Sequence, residues 1–209
     1  MTEPASSKPA STQKSFMQRW QKIARRIRVP LGFVAAGFYL WQLWFHRPAW
    51  LPIALSLLLT LPGLWLRGYA AGYVKKNREL TQTGPYAHTR NPLYLGSILI
   101  ATGFAVALMS WPFALTLAIG FTLIYVPVIA SEEAFLRQTF SDFPAYCKRV
   151  PRLIPRLTPG IRPGAEASEA GSFSFALYRK HREYNSSIGA ALLYLSLLAA
   201  ILLHSFFRV

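Results

Sequence analysis

Five long apolar runs constrain the fold of this sequence more than any other feature. Each run approaches the roughly 20 residues that a helix needs to cross the hydrocarbon core of a bilayer. The chain has 209 residues, of which 53% are hydrophobic and 15% charged, and a soluble domain of that length is too small to hide five such helices. We therefore predict an all-α integral membrane protein with about five transmembrane helices, in residues 29–45, 50–74, 93–109, 112–130 and 188–207.

The basic residues are sorted by connection, and this sorting predicts the orientation. The formal net charge is +15, with the basic side chains concentrated before the first run and in the connections after the second and fourth runs. The connections after the first and third runs and the C-terminal tail contain only two basic residues, Arg47 and Arg208. The positive-inside rule then places the N-terminus in the cytoplasm and the C-terminus outside. Membrane topology and anionic headgroups account for the charge, so we expect a bilayer and a lipid or lipidated small molecule as partners, and no nucleic acid.

The chain divides into five segments along its length. Residues 1–28 combine a disordered tail with an interfacial basic helix, in which Phe16, Trp20, Ile23 and Ile27 recur at helical spacing. The first two spans occupy 29–74, the core with the polar motifs occupies 75–157, a linker and basic cytoplasmic segment occupies 158–187, and the last span occupies 188–209. The single cysteine, Cys147, excludes a disulfide framework and is expected to be inert. No metal is expected.

Two adjacent acids stand at the end of the fourth run. Glu132 and Glu133 follow it with only Ser131 between, and carboxylates at the edge of a membrane are costly unless they are paired, hydrated or bound to a ligand. One interpretation is that they end the helix and pair with Arg137 at helical spacing. The other is that the helix continues and the acids hold a ligand. The second is favoured because a helix C-terminus repels acids.

A second polar cluster precedes the third run, in residues 83–96 (TGPYAHTRNPLYLG). The third and fourth runs are joined by a very short turn and must form an antiparallel hairpin, which brings this cluster next to the two acids. Gly84 and Pro85 permit a sharp turn there, and Pro92 suits the first turn of a helix. Carboxylates, tyrosines and Arg90 together would suit a ligand with a cationic head and a planar ring, at a cytoplasmic pocket open to lipid on one side.

These motifs resemble those of the integral-membrane isoprenylcysteine carboxyl methyltransferase and phospholipid methyltransferase superfamily. The resemblance covers about two-fifths of the chain and is carried by GPYxxxRNPxYxG (84–96), EExxLxxxF (132–140) and YxxRVPR (146–152). It implies a small helical membrane bundle that encloses S-adenosylmethionine on the cytoplasmic side and admits a lipophilic acceptor from the bilayer. A prokaryotic inner membrane is the expected location.

The resemblance also implies roles for individual residues. Glu132 would hold the cofactor at its amino group, and Arg90, Asn91 and Glu133 are the candidate catalytic residues. A segment beyond the motifs is the candidate acceptor site, comprising Arg182, Glu183 and Tyr184. The candidate cofactor-binding residues are Arg78, Glu79, Leu80, Thr81, Gly84, Tyr86, Asn91, Pro92, Leu93, Tyr94, Glu132, Tyr146 and Arg149.

Two departures from the prenylcysteine enzymes bear on the acceptor. Many relatives have His where this chain has Asn91, which can form hydrogen bonds but cannot act as a base. The arginine thought to meet the substrate carboxylate is replaced by Val128. An isoprenylcysteine-type carboxylate is the default acceptor of the family, and a phospholipid amine is the alternative, for which His88 or Glu133 would accept the proton. A non-catalytic lipid-binding protein and a sterol-reductase-like enzyme are further alternatives.

Overall fold

The computed structural model describes residues 33–45, 48–75, 79–160 and 172–207. These ranges contain seven α-helices and one 3-10 turn, Gly84–Ala87, and no strand is present in them. The all-α prediction is therefore confirmed. The helices are α1 (Phe33–Phe45), α2 (Trp50–Tyr73), α3 (Pro92–Leu108), α4 (Trp111–Thr139), α5 (Phe143–Arg149), α6 (Phe175–Lys180) and α7 (Tyr184–Phe207).

Three of the described helices, α2, α4 and α7, are long and apolar enough to cross a membrane. The apolar helices α1 and α3 are shorter. The 17 residues of α3 extend about 26 Å at the usual rise per residue, slightly less than a hydrocarbon core of about 30 Å. An integral membrane protein is thus supported, while five spans and a cytoplasmic N-terminus stay predictions. The predicted interfacial helix of residues 1–28 lies outside the described ranges.

Helix α4 extends nine residues beyond the apolar run from which it was predicted, because hydropathy marks the edge of the membrane and not the end of a helix. Ser110 accepts a hydrogen bond from the backbone N–H of Phe113 at 3.3 Å and so caps its start. After Ala130 the sequence SEEAFLRQT is rich in strong helix formers, and the helix ends only where Phe140 becomes extended. Glu132 and Glu133 therefore lie inside a helix, as the ligand-holding interpretation requires.

Helices α2 and α3 pack in close, antiparallel contact at glycines. A Cβ on Gly63 would lie 2.8 Å from the carbonyl oxygen of Gly96, and one on Gly103 would lie 2.1 Å from Oγ1 of Thr60. Real Cβ atoms do not tolerate such distances, so backbone approaches backbone here. This packing of small residues is the usual way in which helices associate within a bilayer.

Helix α7 completes the bundle through hydrogen bonds at membrane depth. The hydroxyl of Tyr194 lies 2.8 Å from Oγ1 of Thr60 and 2.7 Å from Oγ of Ser56, both on α2. On α1, the hydroxyl of Tyr39 donates to the carbonyl of Leu193 at 2.9 Å. Tyr39 also belongs to the main apolar core, with buried residues of α3, α4 and α7. The C-terminal helix is thus anchored in the bundle independently of the polar motifs.

Candidate functional site

A cavity of about 340 Å³ opens at the end of the bundle where α2 ends, α3 begins and α4 passes by. The predicted meeting of the two polar clusters is observed there, since the hydroxyl of Tyr94 on α3 donates to Oε1 of Glu132 on α4 at 3.0 Å. The predicted site residues that line the cavity are Glu79, Leu80, Thr81, Tyr86, Arg90, Asn91, Pro92, Leu93, Tyr94, Glu132, Glu133, Tyr146 and Glu183.

Four predicted residues do not line the cavity, each for a local reason. Gly84 forms the turn, with φ of +58° and the Tyr73 ring 2.6 Å from where a Cβ would stand. Arg149 turns away to donate to Oε1 of Gln82 at 2.7 Å. Arg182 adopts a left-handed conformation, φ 54°, in the bend before α7, and Tyr184 is exposed. The remaining predicted residue, Arg78, lies outside the described ranges.

The cavity also contains residues that sequence reasoning did not select. Arg67 carried a usable signal, because it is a charged residue within the apolar run 50–74, and such residues are rarely without a role. The others are mostly apolar side chains; Leu136 and Phe140 belong to the EExxLxxxF motif but were not selected as site residues, and the rest lie outside the quoted motif positions. The additional lining residues are Arg67, Val74, Lys75, Ser97, Tyr125, Phe135, Leu136, Phe140 and Phe143.

The charges in the cavity wall are paired, with one exception. Arg67 lies 2.8 Å from Glu183, Lys75 lies 2.8 Å from Glu79, and Arg90 lies 3.4 Å from Glu133. Within the described part of the chain, no basic side chain lies within ion-pair distance of Glu132. Its carboxylate is exposed to the cavity mouth. Of the acids in the cavity wall, Glu132 is therefore the one without an ion-pair partner among the described residues.

The hydroxyl of Tyr94 contacts Glu132, and its ring packs in a row of aromatic side chains. It meets Tyr125 edge-to-face at 5.4 Å between ring centroids, and Tyr125 stacks on Phe121 at 4.7 Å. Tyr94 and Tyr125 both line the cavity. Electron-rich ring faces beside a carboxylate favour a cation.

The neighbouring acid, Glu133, has a different environment. It is buried and receives hydrogen bonds from Nε of Arg152 at 3.1 Å to each carboxylate oxygen, in addition to the ion pair with Arg90. The hydrogen bond to Glu133 raises the pKa of Arg152, so this guanidinium stays charged. Arg90 also contacts Sγ of Cys147. Both oxygens of Glu133 are thus committed to arginines.

Most polar contacts of residues 87–91 are hydrogen bonds to a second segment, residues 150–160, here called the strap. The backbone N–H of Arg90 donates to the carbonyl of Pro151 at 2.9 Å, and Gly160 donates to Ala87 at 2.8 Å. The side-chain amide of Asn91 donates to the carbonyl of Arg152 at 2.9 Å. Nδ1 of His88 lies 2.8 Å from the carbonyl of Arg156, and His88 is absent from the cavity wall. Asn91 and His88 therefore fasten the strap.

Two buried tyrosines, Tyr86 and Tyr146, form part of the cavity wall. The hydroxyl of Tyr146 on α5 donates to the backbone carbonyl of Tyr86 at 2.7 Å. Tyr146 packs with Phe143 and Val150 in a small core. Burial raises the pKa of both phenols, most strongly that of Tyr86, so both hydroxyls stay protonated. No group of three or more His, Cys, Asp or Glu suited to a metal ion occurs among the described residues.

Comparison with known proteins gives two kinds of match. Residues 51–142, which include most of the cavity wall, match the family model described as phospholipid methyltransferase. The chain is 33% identical over 137 residues to the cobalt-zinc-cadmium resistance protein CzcN of Cupriavidus metallidurans, covering 60% of this chain and 62% of that protein. It is 32% identical over 152 residues to the nickel-cobalt-cadmium resistance protein NccN of Alcaligenes xylosoxydans xylosoxydans, covering 71% of this chain and 70% of that protein. No solved structure matches significantly.

The matched range begins in α2 and ends just before α5. It contains the close α2–α3 packing, the 3-10 turn, the α3–α4 hairpin and the acids Glu132 and Glu133. The helices α6 and α7, with Glu183 between them, lie beyond it. The fold, the cavity and the match agree, and the chain belongs to the phospholipid methyltransferase family of membrane methyltransferases.

Proposed function

We propose that this protein transfers a methyl group from S-adenosylmethionine to the amine of a membrane phospholipid, on the cytoplasmic side of the membrane. The observation that carries the proposal is the carboxylate of Glu132, which has no ion-pair partner among the described residues, in a cavity wall whose described cations, Arg67, Lys75 and Arg90, are each paired. Family membership supports the reaction type. The cytoplasmic location rests on the positive-inside distribution of the basic residues.

The residues present fit the proposed cofactor. A cavity of about 340 Å³ falls within the range of small-molecule sites. Glu132, held by Tyr94, would accept hydrogen bonds from the cofactor's ammonium group, and the faces of Tyr94 and Tyr125 would stabilise positive charge. The apolar side chains of Phe135, Phe140 and Phe143 would enclose the planar base and exclude water.

When bound, the cofactor would supply an activated methyl: the lone pair of a neutral amine would form a C–N bond as the C–S bond breaks, leaving a thioether, and the methylated amine would then release one proton. The protein's task is then mainly to hold the two reactants in line, because the sulfonium is already a good leaving group. Both predicted proton acceptors are already engaged, since the oxygens of Glu133 are bound by two arginines and the His88 imidazole contacts the strap outside the cavity wall. We propose that the proton leaves to water at the cavity mouth.

The same charge pairing disfavours an isoprenylcysteine-type carboxylate, the default acceptor of the superfamily. An anionic acceptor needs a cation, and Arg67, Lys75 and Arg90 each already have a carboxylate partner. Taking one of them would strand a glutamate, at a cost of several kcal/mol where the pair is buried. An amine acceptor needs no cationic side chain in order to bind. Val128, buried on α4, offers no substitute charge.

Binding of labelled S-adenosylmethionine to the purified protein in neutral detergent tests the cofactor. We expect saturable binding that Glu132→Gln weakens about tenfold or more, because a charge-assisted hydrogen bond is lost. Lys180→Gln removes one exposed charge from α6, away from the cavity, and is expected to bind like the wild type. Absence of saturable binding, or equal binding by Glu132→Gln, would contradict the proposal.

Incubation with labelled donor and a total lipid extract tests the acceptor. Mass spectrometry of the product is expected to show a headgroup amine heavier by one methyl group. A methyl ester as the main product would instead indicate carboxyl methylation and would refute the amine.

A further inference from the structure

A partly buried ion pair joins the C-terminal segment to the cavity wall. Nε of Arg67 on α2 donates to Oε2 of Glu183 at 3.1 Å, and Nη2 donates to Oε1 at 3.1 Å and Oε2 at 2.8 Å. Only 19% of the arginine side chain and 13% of the glutamate side chain are exposed. Both residues line the cavity. This is the bidentate geometry in which guanidinium and carboxylate bind most strongly.

The remaining donors of Arg67 are also used. Nη1 donates to the backbone carbonyl of Leu93 at 3.3 Å and to Oγ of Ser97. Gly96 makes room for this arrangement, because a Cβ there would lie 2.6 Å from Cγ of Arg67. A guanidinium has five N–H donors, and in this structure the protein itself satisfies the group on every nitrogen. Arg67 therefore presents no open donor to a ligand while Glu183 is in place.

Glu183 reaches Arg67 from outside the family-matched range 51–142. The preceding residue, Arg182, adopts the left-handed conformation with φ of 54°, which is unfavourable for a side chain larger than glycine. The hydroxyl of Ser186 in the first turn of α7 donates to Oε2 of Glu183 at 3.2 Å. The bend before α7 thus holds the carboxylate at the cavity.

We infer that Glu183 determines the charge specificity of the acceptor site, by occupying Arg67 as a tethered anion and so excluding anionic lipid headgroups. A tethered carboxylate acts at a high effective concentration, and an incoming anion would have to displace it. Without Glu183, the guanidinium would be a cation in a lipid-accessible cavity and would bind phosphates or carboxylates. The inference rests on the proposed function only in treating this cavity as the place where the acceptor binds.

A purely structural role would be to attach α7 to α2. That attachment already exists, since Tyr194 is hydrogen-bonded to Thr60 and Ser56 and Leu197 is fully buried in the core. A structural role also predicts only a loss of stability when the pair is broken. A specificity role predicts a change in which charge the cavity accepts, and the two can be measured separately.

The test uses three single-chain amphiphiles with the same tail: hexadecyl phosphate, hexadecanol and hexadecylamine. Their binding to the purified full-length protein is measured by competition with a fluorescent lipid in neutral detergent. Wild type is expected to show no preference for the phosphate over the alcohol, and to bind the amine through the carboxylate of Glu132, which lacks an ion-pair partner among the described residues. Glu183→Gln is expected to gain about tenfold preference for the phosphate over the alcohol, because it exposes a guanidinium. The double variant Arg67→Gln/Glu183→Gln is expected to lose that gain.

Two further variants keep the test decisive if Glu183→Gln does not fold. Arg67→Gln exposes Glu183 instead, and is expected to raise the amine-to-alcohol binding ratio above that of the wild type by a similar factor. Glu183→Asp keeps the charge and is expected to keep the wild-type selectivity, even if its melting temperature falls. Equal phosphate-to-alcohol ratios in Glu183→Gln and wild type, or an unchanged amine preference in Arg67→Gln, would overturn the inference.

The outcome is independent of the proposed reaction. Amphiphile selectivity is read without the cofactor, whereas failure of the wild type to bind S-adenosylmethionine would refute the methyltransferase proposal and leave this selectivity unaffected.

Discussion

Both carboxylate oxygens of Glu133 accept a hydrogen bond from Nε of Arg152, each at 3.1 Å. This contact closes the strap over the end of α4, while the preceding residue, Glu132, faces the cavity mouth beside Tyr94. Successive residues of a helix point about 100° apart, which is enough to direct Glu133 to the arginines and Glu132 to the cavity mouth. The adjacent glutamates of the motif are therefore expected to respond differently to the same substitution.

Glu133→Gln is expected to lower the free energy of unfolding by about 2 kcal/mol, because it leaves Arg90 without its counter-charge in a mostly buried position. Arg152→Gln is expected to cost less, since Arg152 is half exposed and Glu133 keeps Arg90. Thermal unfolding in detergent, followed by circular dichroism, measures both. If Glu133→Gln melted like the wild type but abolished methyl transfer, Glu133 would be a catalytic residue instead.

At alkaline pH, the pH dependence of stability is expected to come from the buried phenols of Tyr86 and Tyr146 and not from Arg152. The hydrogen bond to Glu133 raises the pKa of Arg152, so the contribution of Arg152 to stability is present throughout the pH range below the ordinary arginine pKa and is lost only above it. Tyr86 and Tyr146 also have raised pKa values, from an ordinary value of 10.0. In the unfolded chain these two phenols ionise first, so their contribution to stability is constant below that value and falls as the pH rises beyond it.

Above about pH 10, each buried phenol is expected to lower the free energy of unfolding by about 1.4 kcal/mol per pH unit. Tyr86→Phe is expected to reduce this alkaline slope by the contribution of one phenol, about 1.4 kcal/mol per pH unit. Tyr146→Phe does the same but also lowers stability at neutral pH, because it removes the hydrogen bond to the carbonyl of Tyr86. Melting temperatures recorded across the alkaline range test both, and an unchanged slope in Tyr86→Phe would contradict the burial argument.

Local sequence information predicted most of the architecture that brings the site together. The apolar runs identified α2, α3 and α7 to within a few residues, and the short turn at 109–111 was enough to predict that the cluster containing Tyr94 meets the one containing Glu132. Proline at 92 and glycine at 84 have the backbone roles that their chemistry implies. These features depend on composition, helix length and turn chemistry, which a single sequence contains.

Pairings between distant residues could not be predicted in this way. Arg67 and Glu183 are 116 positions apart, and neither residue type specifies the other. The strap is held largely by backbone groups, such as the hydrogen bond from Arg90 to Pro151, and backbone groups carry no sequence signal. For the same reason Asn91 was predicted as a catalytic residue, although its amide donates to the carbonyl of Arg152; its catalytic role stays a prediction.

A matched pair of glycine substitutions tests the close approach of α2 and α3. Gly96→Ala is expected to lower the free energy of unfolding by about 1–3 kcal/mol, because the added methyl would lie 2.7 Å from the Gly63 carbonyl and press on the stem of Arg67. Gly120→Ala, on α4, has nothing within 4 Å of the new atom and is expected to be neutral or stabilising by up to about 1 kcal/mol. Thermal unfolding of the two variants compares them directly, and equal stabilities would refute glycine-mediated packing.

Tyr94→Phe is expected to weaken donor binding about three- to tenfold, which corresponds to about 0.5–1.5 kcal/mol for one hydrogen bond. The ring contact with Tyr125 is kept, so only the hydroxyl that orients Glu132 is lost. Tyr178→Phe on α6, outside the cavity wall, is the matched control and is expected to bind like the wild type.

A double-mutant cycle separates orientation of Glu132 from direct contact with the donor. If the Tyr94 hydroxyl acts through Glu132, Tyr94→Phe is expected to have little further effect in a Glu132→Gln background, so the two losses are not additive. Additive losses would show that Tyr94 and Glu132 contribute to donor binding separately. In that case the carboxylate is positioned by α4 alone, and the α3–α4 hairpin serves only to place two independent contacts at one cavity.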